Sequence, residues 1–392
     1  MTPVELSRTV LRAMCRAVDD GELSGLGELT GLGELGGPGQ MSGGTPLRVL
    51  VERPRPGGCG DYATNVALQI ARAAGRSPRQ VAEVLSPRLA MEPGIAAIDI
   101  TGPGFLNITL DHGGPLTTRP GSAALVRDVL ARGAHYGHVP PGPADGPTNP
   151  RTPLTLHFPR EPRAAVLADS LRRILRTQGI PVRLTCDEAP GDEAPGGETP
   201  DPSRPAAAAL GVHIDAHAKP SAHAEILRPH PAPPTSPTPL GPDATRWALL
   251  SSAGHDRPRL GDEHLVQRAS NPLFRVRYAH SRVRALSRNA AALGFSAEPG
   301  DIAGPEAWDL LDALVDHPRI LAAAARHRAP DRLARHLVVV ADAFLAFQPD
   351  VLPLGDEKPL AAHRARLALA EAAGTVLAGG LSLLGISAPD YL

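Results

Sequence analysis

The pattern of apolar and polar positions over the first 110 residues predicts a small α/β unit. Apolar residues recur at helical spacing over residues 1–19, and this spacing indicates an amphipathic helix. Alternating apolar residues predict two strands, at 95–100 and 105–110, around a Gly-Pro-Gly turn. The stretch between the first helix and these two strands predicts a strand at 47–52, a helix to about residue 74 and a helix over 77–89.

The middle of the chain has the pattern of one parallel βαβ step. Residues 154–158 and 182–185 read as strands, and residues 164–178 between them read as a helix. Proline, alanine, glycine and histidine then dominate residues 187–240, where we expect at most one short helix or strand, near 206–213. The pattern therefore indicates an eroded fragment of a Rossmann-like sheet.

From residue 243 onward the pattern predicts five or six amphipathic helices with short Pro/Gly breaks. In the helix expected over 273–290 the buried stripe consists of Val276, Ala279, Val283, Leu286 and Ala290. The expected fold class is α+β multidomain, with a small N-terminal α/β domain, the eroded Rossmann-like βαβ fragment and a C-terminal all-α bundle.

Glycine-rich and proline-rich stretches set the expected domain boundaries. A near-repeat of G-L-G-E-L at about 20–45 is too glycine-rich to pack, so it indicates a flexible insertion. We expect a first domain at 1–137, a Rossmann remnant with a Pro/His-rich linker at 150–240, and the helical bundle at 241–392.

Composition narrows the possible functions. The net charge of −1 excludes a global polycation, so nucleic-acid contact requires a local patch. Cys15, Cys59 and Cys186 lie far apart, as expected in a reducing cytoplasm. No apolar run is expected to reach the roughly 18 residues of a membrane span. We therefore predict a soluble cytoplasmic protein without a membrane partner.

The predicted helix over 273–290 carries the strongest candidate chemistry. No acidic residue lies between His264 and Ala297, a stretch that contains Arg268, Arg275, Arg277, Arg282, Arg284 and Arg288. Helical spacing puts Arg277, Arg284 and Arg288 on one exposed face. It puts Tyr278 and Arg282 in stacking range on another. Arginine pairs with phosphate and stacks on bases, which suits single-stranded RNA. The alternative is a solvated basic face that reflects codon bias.

Three stretches, in order, resemble the arginyl-tRNA synthetase family. Similar to its N-terminal domain are GDYATNVALQIARAAGRSPRQVAEVL and ITGPGFLNITL. Similar to the first helix of its anticodon-binding domain, named after the sequence D-A-L-R, is NPLFRVRYAHSRVRALSRNAA. Similar to its closing helix and tail is RARLALAEAAGTVLAGGLSLLGISAPDYL. No motif is specific alone, but their combination and order are.

The resemblance implies tRNA as the partner, with an arginine tRNA as one candidate, and no DNA. The expected anticodon-side contacts are Arg275, Arg277, Tyr278, Arg282, Arg284, Arg288, Arg364, Arg366 and Tyr391. The expected D-loop-side contacts are Asp61, Asn65, Phe105 and Asn107. Alternatives are an N-cap role for Asp61, a local amide hydrogen bond for Asn65 and a core position for Phe105.

The middle of the chain departs from the family. LTLHF runs directly into PREPRAAVLADSLRRILRTQG, without the loop that carries the family's H-x-G-H signature. Lys219 and Lys358 lie outside any K-M-S-K-like context. Losing one preorganised donor to a phosphate costs about 10²–10³ in rate. We therefore expect a non-catalytic protein with no catalytic residue and no cofactor.

A metal site is a weaker alternative for the middle segment. His213, His217, His223 and His230 lie in a Pro-rich stretch without an H-E-x-x-H motif or cysteine partners. We expect no metal.

Three hypotheses follow. The first is a non-catalytic synthetase-like protein that binds tRNA at the anticodon loop and the D-loop. The second is a protein-binding regulator or scaffold. The third is residual arginine–tRNA ligase activity.

Overall fold

The computed structural model describes residues 3–23, 39–40, 46–47, 49–52, 61–110, 121–139, 153–188, 208–233 and 240–392. Most of the predicted flexible insertion and most of the linker before the sheet lie outside these residues. The chain divides into two units, residues 1–117 and 118–392. This division places residues 118–137 in the second unit, whereas the sequence suggested the first.

The first unit is the α/β unit that its apolar pattern predicts. Its elements in chain order are α1 (Pro3–Asp19), β1 (Gly39–Gln40), β2 (Pro46–Leu47), β3 (Val51–Glu52), β4 (Tyr62–Thr64), α2 (Val66–Ile70), α3 (Pro78–Ala90), β5 (Ile95–Thr101) and β6 (Phe105–Leu110). Strands β3, β4, β6 and β5 form an antiparallel sheet in that order. Leu6, Val10 and Met14 of α1 are fully buried in the core of this unit.

Asp61 does not cap the helix that follows it. Strand β4 intervenes and pairs with β6, so helix α2 begins only after Asn65. The Asp61 carboxylate instead accepts a hydrogen bond of 2.7 Å from the backbone N–H of Leu110. The predicted N-cap is therefore wrong, because residues 62–64, which were expected to begin the helix, form strand β4 and pair with β6.

The second unit begins with a helix and a parallel sheet. Its first elements are α4 (Ser122–Arg132), β7 (Leu154–Phe158), α5 (Pro162–Thr177), β8 (Val182–Cys186), β9 (Ala216–His217) and β10 (Glu225–Ile226). The sheet order is β10-β7-β8-β9, all parallel. The predicted βαβ step is confirmed. The histidine-rich segment, expected to add at most one short element, supplies two more strands, because the edges of β7 and β8 offer unpaired backbone groups.

Five long helices follow the sheet in the described part of the chain. They are α6 (Pro242–Leu250), α7 (Pro272–Ala292), α8 (Pro305–Arg326), α9 (Pro330–Phe347) and α10 (Ala361–Leu384). The predicted stripe of α7 is confirmed, since all five of its residues are buried. Gly374 lets α7 and α10 approach closely, because a Cβ there would lie 2.7 Å from Val283 Cγ1.

Helix α10 corrects one expectation from the sequence. Its 24 residues are long and apolar enough to cross a membrane by composition. However, 67% of its most apolar window is buried inside the protein. The helix is therefore the core helix of the bundle, and its hydropathy reflects packing against protein.

Candidate nucleic-acid interface

Helix α7 is fixed at its start and along one side. The Asn271 side chain accepts hydrogen bonds from the backbone N–H groups of Leu273 and Phe274, and Pro272 occupies the first helical position. The buried stripe then packs against α9 and α10. This arrangement leaves two rows of arginines on the outside of the helix.

The first row, here called the arginine face, consists of Arg277, Arg284 and Arg288. It contacts residues 387–391, here called the tail, which follow α10. Arg277 Nη2 donates to Ser387 Oγ at 3.3 Å, and Arg284 Nε donates to Asp390 Oδ1 at 3.0 Å.

The outermost contact of the arginine face is a cation–π pair. The Arg288 guanidinium lies 4.3 Å from the centre of the Tyr391 ring. The structure thus brings together three of the predicted anticodon-side arginines and the predicted Tyr391.

The second row faces α9 and the turn after it. Arg275 Nη1 donates to both carboxylate oxygens of Asp342 at 2.9 Å, and Arg282 Nε lies 3.5 Å from Gln348 Oε1. Arg366, on α10, donates to the backbone carbonyl of Asp350 at 3.1 Å. The short turn at 348–350 therefore brings Arg366 to the same side as Arg282.

Tyr278 has a different stacking partner from the predicted one. Its ring stacks on Phe274, with ring centroids 5.5 Å apart and an interplanar angle of 15°. Phe274 lies one helical turn before Tyr278, and Arg282 lies one turn after it. The Tyr278 ring stacks on Phe274 and not on Arg282. Tyr278 remains 37% exposed, so the outer side of this aromatic pair is open to a ligand.

A cavity of about 380 Å³ lies at the start of α6 and α7. Its wall includes Asp243, Phe274 and Arg277, and the loop at 264–267 closes one side. Arg277 Nη2 is 3.6 Å from Asp243 Oδ2, so the cavity contains both charges. Its volume is in the range of small-molecule sites. Asp243 was not among the residues predicted from the sequence.

The four residues expected on the D-loop side have unequal access to a ligand. Asn107 is buried, and its amide donates to Thr101 Oγ1 at 2.7 Å. Asn65 Oδ1 accepts from Gln69 Nε2 at 2.7 Å. Phe105 is 40% exposed and follows Gly104, whose φ of +140° suits glycine. Among these side chains, Phe105 is the large apolar one that is exposed to a ligand.

Charged residues inside the second unit form a junction that the sequence did not reveal. Arg246 of α6 donates to Asp169 Oδ2 of α5 at 2.8 Å and to the backbone carbonyls of Leu384 and Leu210, also at 2.8 Å. Burial raises the pKa of Asp169, but Arg173 and Arg246 outweigh burial and hold that pKa below its usual value. Asp169 therefore stays ionised and joins α5 to α6.

Arg163, at the start of α5, is also buried. Its guanidinium donates six hydrogen bonds, including those to the backbone carbonyls of Leu249, His230 and Asp256. These carbonyls belong to the end of α6 and the loops beside it. Arg163 thus connects α5 to the end of α6 and the loops beside it, and no apolar pattern could have predicted this role.

The sheet reaches α5 by a short connection. Only Pro159, Arg160 and Glu161 separate β7 from α5. His157 is buried on β7, where its ring nitrogens contact Thr185 Oγ1 at 3.0 Å and Asp187 Oδ1 at 2.8 Å. Within the described ranges, His, Cys, Asp and Glu form no group of three that could hold a metal ion.

The protein combines a small α/β unit, a parallel βαβ sheet and a helical bundle with a basic helix, and two of these parts match models of aminoacyl-tRNA synthetase domains. Residues 276–392 match the model of the DALR anticodon binding domain. Residues 39–110 match the model of the arginyl tRNA synthetase N terminal domain. Both ends of the chain therefore match domains of the arginyl-tRNA synthetase family.

Curated relatives of this chain carry the name arginine–tRNA ligase. The Frankia alni protein is 29% identical over 581 aligned positions, which cover 100% of both chains. Because this chain has 392 residues, the relative contains segments without a counterpart here. The Micrococcus luteus protein is 37% identical over 190 positions, which cover 46% of this chain and 30% of that protein.

Two solved arginyl-tRNA synthetases share the fold. The Thermus thermophilus enzyme has a TM-score of 0.57 at 15% identity, with 100% of both chains covered. The Plasmodium falciparum enzyme has a TM-score of 0.63 at 9% identity, with 100% of this chain and 99% of that chain covered.

These comparisons contradict the expectation that the chain is a non-catalytic protein. Relatives that are 27% and 29% identical, aligned with the whole chain, are named as ligases. The missing signature loop and the segments without a counterpart here do not establish that catalysis is lost. The family binds tRNA through its DALR domain.

Proposed function

We propose that this protein binds tRNA through the arginine rows of α7 and takes part in the ligation of arginine to tRNA. The first part of this proposal, tRNA binding, is supported by the three arginines of the arginine face. They lie one or two helical turns apart, inside the region that matches the DALR domain. The second part, ligation of arginine to tRNA, is supported by similarity along the full chain to proteins named for that reaction.

Some residues of α7 bind the phosphates of the tRNA, and others stack on its bases. Arg277, Arg284 and Arg288 pair with phosphates, since a guanidinium forms charge-assisted hydrogen bonds with phosphate oxygens. The exposed side of Tyr278, supported by Phe274, offers a plane on which an unpaired base stacks.

The neighbouring sites have supporting roles. Arg275, Arg282 and Arg366 extend the positive surface toward the turn at 348–350, and Arg364 lies on the same end of α10. In the first unit Phe105 contacts the D-loop, while Asp61, Asn65 and Asn107 make hydrogen bonds in the same unit, to the Leu110 backbone, the Gln69 side chain and the Thr101 side chain. We place the protein in the cytoplasm, where tRNA is charged.

Fluorescence anisotropy with labelled RNA tests the binding half. An arginine tRNA, a second tRNA and an unrelated hairpin of similar charge are titrated at one near-physiological salt concentration, because salt sets such affinities. We expect both tRNAs to bind at least tenfold more tightly than the hairpin. Equal affinity for all three RNAs would overturn the proposal.

Arginine- and tRNA-dependent ATP–pyrophosphate exchange, together with direct aminoacylation, tests the ligase half. We expect turnover with arginine and none with lysine. If tRNA binds and no turnover with arginine is measured, the ligase half is wrong and the binding half stands.

A further inference from the structure

The tail occupies the surface to which we assign RNA. We propose that the tail is an intramolecular competitor of RNA for the arginine face, with the Asp390 carboxylate in the place of a phosphate and the Tyr391 ring in the place of a base. This role for Tyr391 replaces the direct contact with RNA that the sequence suggested. This inference concerns the regulation of the proposed tRNA site, so it rests on the proposed function.

The tail matches the helix turn by turn. It contacts α7 at Arg277, His280, Arg284 and Arg288, which are successive positions on one side of a helix. From Arg277 to Arg288 the helix advances about 16 Å. From residue 387 to residue 391 an extended chain advances about 13 Å. Because these lengths are similar, the tail runs alongside α7 over the length of the arginine face.

The beginning of the tail is firmly held. The backbone N–H of Ser387 donates to Asp243 Oδ1 at 3.1 Å, and the Ser387 hydroxyl bonds to the other carboxylate oxygen. His280 is buried, and its Nδ1 lies 3.0 Å from the carbonyl oxygen of Pro389. These contacts keep the tail beside α7 even when its outer end is released.

The outer end of the tail is exposed. The side chains of Arg284 and Asp390 are each 51% accessible to solvent, and Tyr391 is 71% exposed. Exposed ion pairs contribute little to stability and are screened by salt. RNA brings several phosphates and unpaired bases together, so it can displace Asp390 and Tyr391 without unfolding the bundle.

The double variant Asp390→Asn/Tyr391→Ala tests the competition through its dissociation constant for tRNA. We expect it to bind about threefold to tenfold more tightly than the wild-type protein, because an exposed pair is weak and competes only modestly. The matched control is Asp356→Asn, which removes the same charge from an exposed acid in the loop before α10.

Either of two binding results would overturn the inference. Weaker binding by the double variant would mean that Asp390 and Tyr391 contact the RNA themselves. An affinity within twofold of the Asp356→Asn control would mean that the tail does not compete. If the wild-type protein binds tRNA normally in either case, the proposed function stands. If neither the wild-type protein nor the double variant binds tRNA, both proposals are wrong.

A fluorine NMR experiment follows the tail directly. The chain has four tyrosines, so 3-fluorotyrosine labelling gives four signals, and Tyr391→Phe identifies the tail signal by its loss. We expect saturating tRNA to move this signal to the position it has in the Arg288→Ala variant, where the stacking partner is absent. An unmoved signal with tRNA bound would overturn the inference.

Discussion

Arg246 and Arg284 both belong to the helical half of the protein, but they differ in burial and in partners. Arg246 is 1% exposed and is held by Asp169 and two backbone carbonyls. Arg284 is half exposed and has one ion pair, with Asp390. Breaking several buried hydrogen bonds of a guanidinium costs much free energy. A guanidinium with a single exposed ion pair can exchange that partner for a phosphate at little cost. Burial therefore separates the structural arginines from those available to RNA.

The largest effect is expected at the buried junction. Arg246→Met leaves the buried Asp169 with fewer positive partners and removes the hydrogen bonds to the carbonyls of Leu384 and Leu210, so we expect a loss of about 3 kcal/mol in the free energy of unfolding. Urea denaturation measures this loss. In the control, Arg284→Met, the change should stay within about 0.5 kcal/mol. Equal losses in the two variants would remove the distinction between the regions.

Gly385 connects the two regions, because it ends α10 and precedes the tail. Its φ is +71°, and a Cβ there would lie 2.3 Å from Arg246 Cζ. We expect Gly385→Ala to cost about 2 kcal/mol of unfolding free energy, from backbone strain together with displacement of the buried guanidinium.

Gly294→Ala is the matched control for Gly385→Ala. Its φ is +79°, and no atom lies within 4 Å of the added Cβ. The strain alone should cost about 1 kcal/mol. If the two alanine variants unfold at the same urea concentration, contact with Arg246 contributes nothing at Gly385.

His317 extends the comparison to a buried histidine whose neighbouring rings are Tyr136 and His336. It stacks on Tyr136, with ring centroids 5.9 Å apart, and its ring centroid lies 5.3 Å from that of His336. Burial, then His336 and His138, hold the pKa of His317 well below its usual value. The folded protein therefore binds fewer protons at this site than the unfolded chain.

Stability should fall as the pH drops through the unfolded value of about 6.5. Between pH 7.5 and 5.5 we expect His317 to cost about 1 kcal/mol of unfolding free energy. His317→Gln should show a correspondingly smaller loss in urea denaturation at the two pH values. The same loss in both proteins would mean that other groups control this pH dependence.

Local patterns predicted much of the fold, because the buried stripe of α7 and the βαβ step repeat with the period of their secondary structure. Partners that are distant in sequence could not be predicted. Asp342 and Asp390 neutralise arginines of a stretch without acidic residues, since each comes from another element. The N-cap assigned to Asp61 failed for the same reason, because β6 pairs with the segment that follows it.

The candidate site was predicted in part. Helical spacing grouped the arginine face correctly, but the tail that covers it and the Asp169–Arg246 pair depend on how α5, α6 and α10 pack. The expectation of a non-catalytic protein relied on the missing signature loop, the absence of a lysine in a K-M-S-K-like context and a short middle segment. It is contradicted because the relatives that align with the whole chain are named as ligases.

The salt dependence of tRNA binding by Arg284→Ala/Arg288→Ala tests the central claim most directly. The control is Arg132→Ala on α4, since Arg132 pairs with Asp128 at 2.8 Å and is 48% exposed, much like Arg284. We predict that the double variant binds tRNA about fivefold more weakly than the wild-type protein, with a slope of log affinity against log salt about 1.5 smaller, while the control matches the wild type. Identical affinities and slopes for the double variant and the control would contradict the claim that the arginine face binds RNA.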